Sequence, residues 1–192
     1  ALGKIARWEF DAKGQTIRTW GQTAYPVSYT FDDWDRMTAM NTYRGGTGWT
    51  GWDWPANPGT ADTTQWQFDE ATGVLTNKTY ADGNGVSYAY TSDQKLETRT
   101  WARGITTTYS YTNTTGEMVG IDYSDATPDI AFTFDRLGRQ STIADAQGTR
   151  TFLYDQHLAL TNETILAGGV TNVIVRTQDS LGRSSGFTAG RA

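Results

Sequence analysis

The 192-residue sequence has no cysteine and a single histidine, His157. Without cysteine there are no disulfide staples, thiolate nucleophiles or Cys-based metal sites, and the absence fits either redox compartment. No nucleophile-elbow motif lies near His157, so no Ser-His-Asp set can be assembled around it, and a surface turn is the expected place for it. Basic residues are outnumbered, 16 Lys and Arg against 21 Asp and Glu, for a net charge of −5. That balance is opposite to the basic face a nucleic-acid partner needs. There is no apolar run of the roughly 18 residues that a membrane-crossing helix requires. No secretory signal is visible, and the sequence opens at Ala1 without Met, as mature processing or excision from a longer polypeptide would leave it. Helical periodicity is missing as well; alternation dominates. Apolar residues make up only 37%, low for a globule with a deep core and suited to a thin sheet wetted on much of both sides.

What is present is repetition, which decides the fold. Aromatic pairs at i and i+2 recur at Trp8/Phe10, Tyr29/Phe31, Trp66/Phe68, Tyr88/Tyr90, Tyr109/Tyr111, Phe132/Phe134 and Phe152/Tyr154. The second aromatics are spaced by 21, 37, 22, 21, 23 and 20 residues. The step of 37 therefore carries an insertion. An eighth, degenerate copy stands at Asp179-Ser180-Leu181-Gly182-Arg183.

Residues at i and i+2 share one face of a strand, so each pair forms one stacked edge. Asp11, Asp32, Asp69, Asp135 and Asp155 follow the pairs. At that position a carboxylate bonds backbone donors two residues ahead, and a nearby Gly accepts the positive φ that closes a turn. Such a ladder of carboxylates could also suggest calcium or glycosidase chemistry. A catalytic pair, however, is placed once, whereas a turn device appears in every copy. Apolar residues resume at Met37, Leu75, Leu96, Met118 and Leu160, giving strand, turn, strand. A lone hairpin is too small to be stable, so neighbouring units must stack. The fold expected is all-β, an open curved antiparallel sheet of consecutive hairpins forming one array over residues 1–192.

The motif aromatic-x-aromatic-Asp, then x-x-Gly-Arg and a Gly-containing second turn, resembles the YD repeat of RHS-type proteins. Phe132-Thr133-Phe134-Asp135-Arg136-Leu137-Gly138-Arg139 followed by Asp145-Ala146-Gln147-Gly148-Thr149 carries the resemblance most fully, and Tyr80-Ala81-Asp82-Gly83 before Tyr88-Ala89-Tyr90 shares it. It extends from about Trp8 to Arg183. The resemblance implies a β-strip spiralling around a hollow interior, often enclosing a toxin; teneurins are similar. It implies a non-enzymatic structural segment, secreted or at the cell surface, with neighbouring repeats of a larger chain or strand-edge self-association as its partners. Thr91 and Thr112 depart from the motif by replacing Asp. No stretch resembles the C-terminal core segment with autoproteolytic acidic residues that closes many such shells, so cleavage and toxin release are not expected of these residues.

The insertion spans residues 44–65 and places Trp49, Trp52 and Trp54 amid Gly and Pro. Gly and Pro mark a loop, and Trp is seldom left on one without a surface to cover. Two readings follow: the rings fold back over the apolar face of the first two repeats, or they form a platform for carbohydrate or a cell-surface partner. No cofactor, metal ligand or catalytic residue is expected. Asn77, Asn113 and Asn162 open Asn-x-Thr triplets that Thr-rich strands produce by coincidence. Arg139 and Arg183 are expected to pair with acidic neighbours on the next hairpin, and the tail from Gly168 to fray.

Overall fold

A computed structural model describes residues 3–192; Ala1, on which the expectation of processing or excision rests, lies outside them. Eight hairpins follow one another. They are β1 (Ala6–Phe10) with β2 (Thr16–Gly21), β3 (Val27–Phe31) with β4 (Met37–Gly45), and β5 (Gly59–Phe68) with β6 (Leu75–Thr79). Next come β7 (Gly85–Tyr90) with β8 (Leu96–Thr100), and β9 (Thr106–Tyr111) with β10 (Met118–Tyr123). The last three are β11 (Ile130–Phe134) with β12 (Gln140–Asp145), β13 (Gly148–Tyr154) with β14 (Leu160–Ala167), and β15 (Val170–Gln178) with β16 (Ser184–Arg191). The strands bond in sequence order in one open antiparallel sheet. The all-β hairpin strip expected from the repeats is the observed architecture. Among the described residues no helix is long and apolar enough to cross a membrane.

Two compact units are distinguished by their internal contacts: residues 1–94 with 100–103, and residues 95–99 with 104–192. On β3, β5, β7, β11 and β13 half-buried aromatics alternate with exposed neighbours, as Phe132 and Phe134 do with Ala131 and Thr133 on β11. Burial is shallow. Among the described residues only Trp20, Val86 and Thr107 are buried outright, so stability is spread along the strip through backbone ladders and half-covered rings rather than gathered in a core.

The second aromatic of the motif sits at a ladder irregularity. The register shifts at Phe10, Phe31, Phe68, Phe134 and Tyr154, where each first strand enters its turn. The extra residue lies on the second strand, at Ile17, Thr38, Thr76, Ser141 and Thr161, and a bulge of this kind bends the strand that carries it. The turn that follows is built by the carboxylate. Asp135 Oδ1 accepts the backbone N–H groups of Leu137 at 2.8 Å and Arg139 at 3.1 Å. Asp11, Asp32, Asp155 and Asp179 accept the N–H groups at the same two offsets. The fourth residue takes a positive φ, 75° at Gly138 and 68° at Leu158. At Thr91 and Thr112 the turn survives through backbone bonds, Gln94 N–H to Thr91 O at 2.9 Å and Gly116 N–H to Thr112 O at 3.1 Å. His157 occupies a turn position, donating its N–H to Asp155 Oδ1 at 2.8 Å.

Three expectations are corrected. Arg139 and Arg183 bond the Asp of their own turn, Asp135 at 2.6 Å and Asp179 at 2.7 Å, because a five-residue turn brings its last side chain back over its first. The insertion 44–65 is a loop only at 46–58: Arg44 and Gly45 end β4, and Gly59 to Gln65 begin β5, paired residue for residue. The tail forms a hairpin, with β16 laddered to β15 from Ser184 to Arg191.

Candidate functional site

The thirteen residues between β4 and β5 divide the three tryptophans. Trp54 turns inward and meets three rings edge-on: Trp49 at 5.0 Å between centroids, Tyr43 at 5.4 Å and Trp20 at 5.6 Å. Trp49 also lies 5.7 Å from Tyr43. Trp20 comes from β2 and is buried; Tyr43 comes from β4, and its hydroxyl shares a 2.8 Å hydrogen bond with Ser28 of β3. Trp49 and Trp54 therefore cover the face of the first two repeats. Edge-to-face contacts of this kind contribute about 0.5–1.5 kcal/mol each beyond burial. Arg18, held to Glu9 at 2.9 Å, places its guanidinium carbon 5.1 Å from the Trp54 ring centre.

Trp52 is separate. It is 75% exposed, and Arg7 covers one face of its ring at 3.5 Å while donating from Nε to Gly51 O at 3.0 Å. The structure thus brings Trp49 and Trp54 into one cluster and leaves Trp52 outside it. Sequence reasoning did not single out Trp20, Tyr43, Arg7 or Arg18; the signal available was that Trp20 and Tyr43 lie on the strands the loop would have to cover.

A second constellation recurs at the joints between hairpins. Arg139, fixed by Asp135, sets its guanidinium carbon 4.3 Å from the centre of the Tyr154 ring, and Tyr154 donates its hydroxyl to Gln140 O at 2.9 Å. In the same way Arg36, fixed by Asp32 at 2.7 Å, lies 4.5 Å from the Phe68 ring centre. Lys95 lies 5.3 Å from the Tyr111 ring centre, and the hydroxyls of Tyr111 and Tyr90 donate to Leu96 O and Leu75 O. The cation closing one turn is thus covered by the second aromatic of the next repeat. The hydrogen bond from the Arg139 side chain holds the Asp135 carboxyl below the usual carboxylate range, with partial desolvation opposing and the N–H groups of Arg139 and Leu137 adding. At Asp179 the Arg183 backbone N–H leads and its guanidinium follows. Among the described residues no group of three or more acidic or histidine side chains is gathered as a metal site would need.

No protein-family model and no curated protein matches the sequence. Among solved structures the chain is similar to TcdB2-TccC3, with a TM-score of 0.53 and 15% identity over 97% of this chain and 13% of that one. TcdB2-TccC3 without its hypervariable C-terminal region gives 0.51 and 17%, over 97% of this chain. A Photorhabdus luminescens Tc holotoxin pore gives 0.52 and 17%, over 97% of this chain and 12% of that one. This chain spans about an eighth of the length of the chains it matches. At these identities the likeness is one of fold, and the fold is that of the RHS/YD-repeat shells of the TcdB2-TccC3 chains, as the sequence motif resembles.

Proposed function

We propose that this chain is a non-enzymatic structural segment of a larger RHS/YD-repeat shell, secreted and toxin-associated, with residues 1–192 acting as one repeat array. The observation that carries this reading is the use of the aromatic residues. They pack repeat against repeat and clamp the turn arginines, instead of lining an enclosed cavity. The carboxylates of Asp32, Asp135 and Asp179 likewise have their oxygens committed to backbone N–H groups and arginine. The similar structures include a Photorhabdus luminescens Tc holotoxin pore, which supports the toxin association. Its partners are then the neighbouring repeats of a longer chain, or other copies through the strand edges. Electron microscopy of the polypeptide that contains these residues with their flanking sequence tests the reading. A hollow particle is expected; a solid globule overturns it.

A second reading, contact with carbohydrate or a cell-surface partner, now rests on Trp52 alone, since Trp49 and Trp54 are spent on the cluster. Titration with glycans while following Trp emission tests it, with Trp52→Ala as control; emission unchanged by every glycan removes it.

A further inference from the structure

Where β7 begins, the chain runs hard against the strand before it. A Cβ added at Gly85 would lie 2.5 Å from Lys78 O and 3.2 Å from Thr79 Cα of β6. Both neighbours are backbone atoms that cannot swing aside, so glycine is required there. The residue before it is Asn84. Of the seven asparagines in the sequence this is the one followed by glycine; the others precede Thr, Pro, Lys, Glu or Val. The packing of β7 on β6 thus imposes a chemically labile pair, since asparagine is among the thermolabile residues and the Gly85 nitrogen has no side chain to shield it.

The surroundings both expose and restrain the pair. Residues Ala81 to Asn84 are exposed, so water reaches Asn84. Two bonds tie it to Asp82: the Asn84 backbone N–H donates to Oδ1, and Nδ2 donates to Oδ2, each at 2.9 Å. The second bond must break before the carboxamide can turn its Cγ toward the Gly85 nitrogen. On either side the backbone is committed. Asn84 O accepts the Tyr80 N–H at 2.7 Å, and Gly85 and Val86 are paired with Thr79 and Lys78. Val86 is buried, at 4% exposure.

We propose that Asn84–Gly85 is a self-modification site, converting spontaneously to aspartate and isoaspartate, with Asp82 as the positioning residue that slows it. The Gly85 nitrogen gives up its proton and attacks Asn84 Cγ. A C–N bond forms, the bond from Cγ to Nδ2 breaks, and Nδ2 leaves as ammonia with the proton. Water then opens the cyclic imide at either carbonyl, giving aspartate or isoaspartate; water is the only co-reactant. Isoaspartate routes the main chain through the side-chain carbon and lengthens it by one atom between Tyr80 and Val86. The turn bond at Tyr80 and the register that buries Val86 then cannot both be kept, so the β6·β7 joint loosens. Aspartate leaves the main chain unchanged and only sets a second carboxylate beside Asp82.

The test incubates the full chain in warm, mildly alkaline buffer and follows it by peptide mapping with mass spectrometry. The mass gain of one deamidation is expected on the peptide holding Asn84, as a mixture of aspartate and isoaspartate, with the other asparagines unchanged. Asn84→Gln, whose longer side chain closes the ring far more slowly, should show no gain. Asp82→Ala should convert about tenfold faster, the effect of releasing one hydrogen bond to a charged group. Amide exchange at Val86 should stay slow in Asp82→Ala, which separates the hold on Asn84 from general loosening of the joint. Aged native chain should melt below fresh chain and below an Asn84→Asp variant, which carries the charge without the longer backbone. No gain at Asn84, an equal gain at the other asparagines, a rate in Asp82→Ala that is unchanged or rises only with Val86 exchange, or aged chain as stable as Asn84→Asp would each overturn the proposal.

Discussion

The Arg139 guanidinium carbon lies 4.3 Å from the centre of the Tyr154 ring, while its Nε and Nη2 bond Asp135 Oδ2 at 2.7 and 2.6 Å. One side chain thus joins the turn that precedes β12 to the strand that covers it. The same residue type at Arg183 makes the carboxylate bond and has no ring upon it among the described residues. Arg139→Ala is expected to cost about 1–3 kcal/mol through the lost stacking, stem packing and hydrogen bonds. Arg183→Ala, on an exposed end turn, is expected within about 0.5 kcal/mol. Denaturant midpoints of dilute full-length protein decide; equal shifts would show that the ring contributes nothing.

Acid should loosen the turns. The carboxyls of Asp135, Asp179, Asp69 and Asp82 are all held below their ordinary value in the folded chain. At Asp69 the Thr72 hydroxyl is the leading cause, and at Asp82 the Asn84 side chain. A depressed folded-state pKa means that the unfolded chain binds the proton first, so stability is complete above the ordinary carboxylate range near pH 4 and falls as pH drops below it. Thermal midpoints measured from neutral pH downward should stay level and then decline beneath about pH 4. A midpoint that rises on acidification would contradict the turn assignment.

Leu158 holds the positive-φ position of its turn at 68°, where Gly14, Gly138 and Gly182 stand in sister turns, and its side chain is 58% exposed. A left-handed conformation costs a non-glycine residue about 1–2 kcal/mol, and glycine loses about 0.5–1 kcal/mol in chain entropy. Leu158→Gly is therefore expected to stabilise the chain by up to about 1 kcal/mol. A lower melting temperature would show that the exposed leucine makes contacts worth more than the strain.

These features differ in how far the sequence discloses them. The turn carboxylates were legible because turn chemistry is local: Asp135 reaches donors only two and four residues away. Strand starts at Met37, Leu75, Leu96, Met118 and Leu160 were legible for the same reason. The partner of Arg139 was not, since strand periodicity points it across to a neighbour while the five-residue turn folds it onto Asp135. Nor was the order of the tail: β16 buries no side chain and is held by backbone pairing to β15, which leaves no hydrophobic pattern to read. The Trp loop was legible as a place but not as an arrangement. Whether each ring faces in or out depends on groups distant in sequence, such as Arg7, which reaches Gly51 across 44 positions.

That division of the loop gives the sharpest stability contrast. Trp54 meets three rings and lies near Arg18, so Trp54→Ala removes the centre of the cluster and should cost about 3–5 kcal/mol, the range for deleting a large packed aromatic. Phe134, half-buried on β11, should cost less, about 1–3 kcal/mol on Phe134→Ala, because part of its ring already faces water. Trp52 is 75% exposed with Arg7 on one face; an exposed cation–π pair contributes about 0.5–1 kcal/mol, and Trp52→Ala should cost no more than that. Denaturant midpoints are expected in the order Trp54→Ala lowest, then Phe134→Ala, then Trp52→Ala nearest the native chain. A Trp52→Ala loss as large as that of Trp54→Ala would mean that all three tryptophans work as one cover over the first two repeats. The single exposed ring would then have no surface left to offer a partner.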